Sequence, residues 1–285
     1  MRENDTSSPV RDHRGTVFVL LLAGGLQPTP LERSLGTPTL LMWASPDRTI
    51  LQEWIDATIE VTAEPARVLR RDPSLQSLTD PSVIYVEDSD AYRGTAGVVR
   101  DAARSLSDPS ATLIVCEGRR RPSVSLGRLL AAHRSNDAGV TLACSESGEF
   151  LGFYVIEAEL LDGSVPRVGY QDLKEQWLNK VRGTSEQVRI ASFATKGFIN
   201  PIHSREDLLK AANLSNGALR RTSPVAEAGR VVVASSALVE RSARVKNSIV
   251  FGGGRIEKDA VVVRSVIGPS GSVAAGQTVV DTVLA

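Results

Sequence analysis

Near the C-terminus, aliphatic residues recur on a fixed step that few folds accommodate. Three segments align, VKNSIV at 245–250, VVRSVI at 262–267 and VVDTVL at 279–284, with starts 17 residues apart both times. Each opens on valine, carries serine or threonine at its fourth place and closes on two aliphatics. A second series, Val239, Ile256 and Val273, keeps the 17-residue interval and precedes each segment by six. Val233, Val239 and Val245 also follow one another at six. A helix repeats its apolar residues every three to four positions and a half-buried strand every two, so neither gives this nested period. A parallel β-helix does: each coil supplies three short strands, and an aliphatic side chain from each points inward. A coil buries that residue only against its neighbours, so three coils are close to the minimum. Independent hairpins are the competing reading, and they do not generate two series with one interval. Residues 223–285 are therefore expected to form a short parallel β-helix of hexapeptide repeats.

Upstream the pattern differs. The run TVFVLLLAGG at 16–25 is apolar and ends in a glycine pair, as a strand buried on both faces and followed by a tight loop would. PSVIYVE (81–87), ATLIVCE (111–117) and GVTLACS (139–145) read as further buried strands, and 48–61, 94–106 and 125–135 carry helical spacing. This alternation predicts an α/β domain over 16–222, with a mostly parallel mixed sheet and helices on both faces. Residues 150–161 and 171–181 continue it. SREDLLKAANL (204–214) reads as a helix with Ser204 as N-cap and Asp207 three residues on, an approximate capping box.

Charge narrows the function classes. Lysine plus arginine equals aspartate plus glutamate, 33 each, which argues against a general nucleic-acid or membrane-surface binder. Cys116 and Cys144 have no metal-ligand spacing and are expected as buried thiols in a reducing compartment. The polar start MRENDTSSPVRDHRG reads as a flexible tail over 1–15, and the apolar run at 17–23 is too short to span a bilayer. With no signal-peptide core, the expected location is cytoplasmic.

Several segments, taken in chain order, carry a family resemblance. LLLAGGLQPTPLERSLGTPTLL is followed by RGTAGVVRDA at 93–102, LIVCEGRRRPSVSLGRLLAAHRSNDAGVTLA, GFYVIEAELLD and KGFINPIHSREDLLKAAN. Together with the repeat, this set resembles the sugar-phosphate nucleotidyltransferases (NDP-sugar pyrophosphorylases). Their signature reads approximately L-A-G-G-x-G-T-R-L-x-P-L-T, then P-K-P-L-L, with G-T-A, G-I-Y-V-F and W-x-D-I-G segments later. The resemblance covers residues 16 to 285 and implies a Rossmann-like nucleotidyltransferase domain followed by a left-handed β-helix. It also implies an activity: a sugar-1-phosphate attacks the α-phosphate of a nucleoside triphosphate and pyrophosphate leaves. That chemistry is positioning plus charge neutralisation by backbone N–H groups, an arginine, a lysine and Mg²⁺ held by two aspartates.

Against that pattern the chain departs at each chemical part. Gln27, Pro28 and Thr29 stand in place of G-T-R in a loop two residues shorter, and proline supplies no N–H. Arg33 is the nearest replacement for the arginine, and Thr37 takes the place of the P-K-P lysine. The first metal aspartate, from an N-G-D motif, falls on Arg119 after Glu117 and Gly118; the second falls on Pro201, or on Asn200 with a slip of one. Several tens of residues that the family places between its T-L-A and G-I-Y strands, including a sugar-phosphate lysine, are absent between Cys144 and Gly152.

The resemblance therefore implies no catalytic residue and no metal ligand. The nucleotide-binding candidates are Ala23, Gly24 and Gly25, with Gly94, Thr95, Ala96 and Gly97; for the second group the competing reading is a helix start with Thr95 as N-cap. Arg119 and Arg120 are candidate phosphate contacts, against a solvated arginine loop. His133 reads as structural, His203 as a loop residue without a catalytic partner, and Glu117 beside three arginines as a poor Mg²⁺ ligand. The expected function is a former enzyme that acts as a regulatory, scaffolding or nucleotide-sensing subunit without a cofactor. Its expected partners are a nucleotide or NDP-sugar, and either itself or an active nucleotidyltransferase paralogue. The alternative is a divergent active enzyme that uses Mg²⁺.

Overall fold

The computed structural model describes residues 15–23, 27–46, 48–70, 80–87, 93–184, 188–196, 200–213 and 231–285. The α/β part runs β1 (Val17–Leu22), α1 (Pro30–Leu35), β2 (Trp43–Ser45), β3 (Arg48–Thr49), α2 (Ile50–Ile59), β4 (Ala66–Arg70), β5 (Val83–Glu87) and α3 (Gly94–Arg104). It continues through β6 (Thr112–Glu117), α4 (Leu126–Ser135), β7 (Val140–Ser145), β8 (Phe150–Glu157) and α5 (Ala158–Ser164). A π-helical turn (Leu173–Trp177) then leads into α6 (Leu178–Thr184), β9 (Ile190–Thr195) and α7 (Arg205–Asn213). Seven strands form one sheet in the order β5-β4-β1-β6-β8-β7-β9. β8 runs antiparallel to both neighbours and the remaining pairs are parallel, so the sheet is mixed and mostly parallel.

β1 shows why an unbroken apolar run makes a central strand. Val17, Val19 and Leu21 pack with residues of α2, α4 and α7, while Phe18 and Leu20 pack with residues of α3 and α5. Both faces are covered, so no position along the strand tolerates a polar side chain. The helix expected at 204–214 is α7, and its cap is reciprocal: Asp207 N–H donates to Ser204 Oγ and Ser204 N–H donates to the Asp207 carboxylate.

Some elements escape the sequence reading. α1 occupies the segment read as a damaged phosphate loop: Thr29 caps it, Glu32 closes the capping box, Pro30 opens it and Gly36 ends it in the left-handed conformation. β4 was hidden by its arginines. Arg67 lies 4.3 Å from the Phe18 ring centroid and Arg70 is buried beside the Tyr85 ring, so both cations pack as amphipathic chains. Both cysteines are free, but Cys144 is only half-buried, which corrects the expectation of two buried thiols. Among the described residues, no helix is long and apolar enough to cross a membrane.

Beyond residue 230 the strands are short: β10 (Val232–Val233), β11 (Leu238–Val239), β12 (Arg244–Lys246), β13 (Ile249–Val250) and β14 (Arg255–Ile256). β15 (Val261–Val263), β16 (Val266–Ile267), β17 (Ser272–Val273), β18 (Thr278–Val280) and β19 (Val283–Leu284) complete them. They form three parallel sheets, β10-β13-β16-β19, β11-β14-β17 and β12-β15-β18. Every pair joins residues 17 apart, as in Val245 with Val262 and Val262 with Val279. Val245, Ile256, Val262, Val273 and Val279 share one buried cluster. Val232, Ile249 and Val266 instead pack into the α/β core, so one sheet serves both parts as a common wall. The boundary expected at 222/223, and the tail expected over 1–15 apart from Gly15, lie outside the described residues.

Candidate functional site

A cleft of about 690 Å³ opens at the C-terminal ends of β1 and β6, lined there by Leu22, Glu117 and Tyr154. Its flanks come from Arg119 and Arg120 after β6, Thr95 at the start of α3, and the chain from Tyr170 to Gln176. Pro201 and His203, ahead of α7, also line it. The ends of parallel strands are where α/β sheets place their ligands, because adjacent loops diverge there.

The three consecutive arginines find three different carboxylates. Arg119 donates to Gln27 O at 2.9 Å and to Glu32 Oε2 at 3.1 Å. Arg120 Nε donates to Glu117 Oε2 at 2.8 Å, and Arg121 grips Glu53 at 2.6 and 2.5 Å while donating to Ala211 O. Arg120 and Arg121 are buried, so the solvated arginine loop is not what forms. Local geometry makes room for this. Gly152 has φ +82, and a Cβ there would stand 2.7 Å from Glu117 Cδ and 2.8 Å from Arg120 Nε. The Arg120 carbonyl accepts from the buried Trp54 Nε1 at 2.8 Å, which fixes the loop against α2.

Glu32 anchors the other side. Burial works to raise its pKa, but N–H groups of Thr29 and Thr39, the Thr39 hydroxyl and the Arg119 charge outweigh it and hold the carboxyl below its usual range. Tyr154 is shifted the opposite way: burial, then the charges of Glu117 and Asp172, keep its phenol protonated.

Of the nucleotide-binding candidates, Gly24 and Gly25 lie outside the described residues, and Ala23 donates its N–H to Leu69 O. Gly94 has φ +69 and approaches the Gln171 carbonyl so closely that a Cβ would stand 2.4 Å from it. Ala96 is buried and its N–H donates to the same carbonyl, while Gly97 packs on the Arg93 side chain. Thr95 is not an N-cap of α3: Arg93 holds that place without a side-chain bond. Its hydroxyl instead donates to Asp172 Oδ2 and accepts from Leu173 N–H, tying α3 to the π-helical turn. Within this tetrapeptide, Thr95 is the residue that lines the cleft.

Asp172 and Lys174 were missed, because residues 171–181 read only as a continuation of the α/β region. Asp172 caps the turn by accepting from Lys174 and Glu175 N–H. His133, by contrast, is fully buried and bonded to Thr141 and Glu157.

The two positions at which the resemblance places metal aspartates come together. Ile202 N–H donates to Arg119 O at 2.7 Å, and Arg119 and Pro201 line the same cleft. The residues there are arginine, asparagine and proline. Glu117, the nearest carboxylate in sequence, is committed to Arg120. Among the described residues, no three His, Cys, Asp or Glu side chains converge on a point. The residue set does not fit Mg²⁺, which wants carboxylate oxygens rather than a guanidinium.

No protein-family model and no curated protein matches the sequence. Among solved structures, the chain is similar to HddC from Yersinia pseudotuberculosis, with a TM-score of 0.51 and 16% identity over 68% of this chain and 97% of that one. At that identity the likeness is one of fold.

Proposed function

We propose that this protein is a nucleotidyltransferase-like subunit that binds a nucleotide or NDP-sugar without turning it over, in a regulatory, scaffolding or sensing role. One observation carries the reading. The backbone still brings position 119 to positions 200–202, as a two-aspartate metal site requires, while the side chains there are Arg119, Asn200 and Pro201. Without that metal site, the phosphoryl charge has no divalent partner in the transition state. Ground-state binding needs less, and Thr95, Lys174 and the Arg119–Arg120 pair line the cleft for it. In this reading the three C-terminal sheets are the faces of a closed left-handed β-helix, which contributes to assembly with a second copy or with an active paralogue.

A thermal-shift screen against nucleotides and NDP-sugars tests it. A ligand present at about 100 times its Kd stabilises by about 2.7 kcal/mol, a shift of several degrees for a chain of this size. At least one member of the panel is expected to raise the midpoint, and Arg119→Ala is expected to reduce that shift. A flat response to the whole panel rejects the ligand-binding part and leaves scaffolding alone.

A further inference from the structure

Beside the cleft lies a second hollow of about 620 Å³ that shares Tyr154, Lys174 and Glu175 with it. It exists because β7 passes to β8 through a turn confined to residues 146–149, which leaves the ends of both strands uncovered. One wall is apolar. Leu142 and Tyr154 are buried, and the rings of Phe150 and Tyr154 meet at 4.6 Å between centroids, tilted by 50°. The opposite wall is helical: Lys174, Leu178 and Arg182 follow at four-residue steps, giving cation, apolar, cation along one face. Lys174 Nζ stands 5.6 Å from the Phe150 centroid, and neither Lys174 nor Arg182 forms an ion pair among the described residues. Glu149 and Glu175 also line the hollow. At the Cys144 thiol, burial raises the pKa and the Arg182 charge partly offsets it, which puts the guanidinium within reach of that wall.

We propose that this hollow is a second binding site, for a small aromatic acid. A flat ring would lie against Phe150, Tyr154 and Leu178, and its anionic group would be held by Lys174 and Arg182. An aromatic wall accepts a ring by offset or tilted stacking, and the two cations, which form no ion pair among the described residues, give the acid charge-assisted bonds. The hollow has the volume of ordinary ligand pockets, about 300–1,000 Å³. The hollow shares Tyr154, Lys174 and Glu175 with the cleft, and Arg182, which lines the hollow and not the cleft, tells the two sites apart.

Cys144 reports on occupancy, because the other thiol, Cys116, is fully buried. The probe is phenyl phosphate, and the readout is the rate of Cys144 alkylation by N-ethylmaleimide on the full native chain, mapped by mass. Phenyl phosphate is expected to slow alkylation saturably in the millimolar range, with inorganic phosphate and phenol each protecting far less. Arg182→Ala, at an exposed position, is expected to raise the half-protecting concentration about tenfold, the equivalent of one charge-assisted contact. Each variant is compared with its own unprotected rate, because Arg182 also tunes the thiol. Arg119→Ala leaves protection unchanged. The proposal is overturned if phenyl phosphate gives no protection, if inorganic phosphate protects equally, or if Arg182→Ala does not weaken protection.

Discussion

Single residues show what holds the segment that the family resemblance assigns to a phosphate loop. Glu32 closes the capping box of α1, accepts from Thr39 and neutralises Arg119, so one carboxylate ties α1 to the segment after it and to the arginine run. Its folded pKa lies below the ordinary 4.5, so its stabilising contribution is complete above that pH. As pH falls through 4.5 toward the lowered value, the contribution is lost. Thermal melts against pH are expected to show a falling midpoint below about 4.5, with Glu32→Gln giving a flatter acid limb and a lower midpoint at neutral pH. Equal acid limbs in the two proteins would show that Glu32 is not the titrating anchor. The signature for this role was present in the sequence as Thr29-Pro30-Leu31-Glu32. It went unread because the family pattern assigned those positions to a loop, and a capping box and a gap in a motif look alike until the backbone is seen.

At the scale of elements, the C-terminal sheets are tied by a hydroxyl ladder on the 17-residue step. Ser248 Oγ accepts from Ser265 N–H at 3.0 Å, and Ser265 Oγ accepts from Thr282 N–H at 3.1 Å. Each hydroxyl also donates to the carbonyl two residues before it, at 2.8 Å. The residue ahead of each rung, Asn247, Arg264 or Asp281, is left-handed with φ near +50, which turns the chain sharply enough to aim the hydroxyl at the next coil. This explains why serine or threonine recurs at the fourth place of each aligned segment. Ser265 is fully buried, and Ser265→Ala takes the acceptor from the part-buried Thr282 N–H while Val263 O keeps the Asp281 N–H, so it is expected to cost about 1 kcal/mol by denaturant unfolding. Thr282→Ala, on the last rung, is expected to cost less. Equal costs would mean that the ladder contributes nothing beyond the local turn.

Across the whole molecule, the repeat and the α/β alternation were legible because burial imposes its period on sequence. Val17 to Leu22 had to be apolar on both faces, and Val245, Val262 and Val279 had to recur at the coil length. What did not show was anything set by contacts distant in sequence. The common wall made by Val232, Ile249 and Val266 leaves no pattern of its own, and neither does Arg93, buried by bonds to Asp101, Pro166 and Gly169. The cleft was half legible: Arg119, Arg120 and Thr95 reach it, whereas Asp172 and Lys174 are brought there by a turn that the sequence did not announce. The proposed function has this frame bind a nucleotide or NDP-sugar without turning it over. The most direct measurement is pyrophosphate release by purified protein supplied with Mg²⁺ and a panel of nucleoside triphosphates and sugar-1-phosphates. Binding without turnover gives no release above the protein-free rate. Saturable release that disappears when Gly24 and Gly25 are both changed to alanine would contradict it.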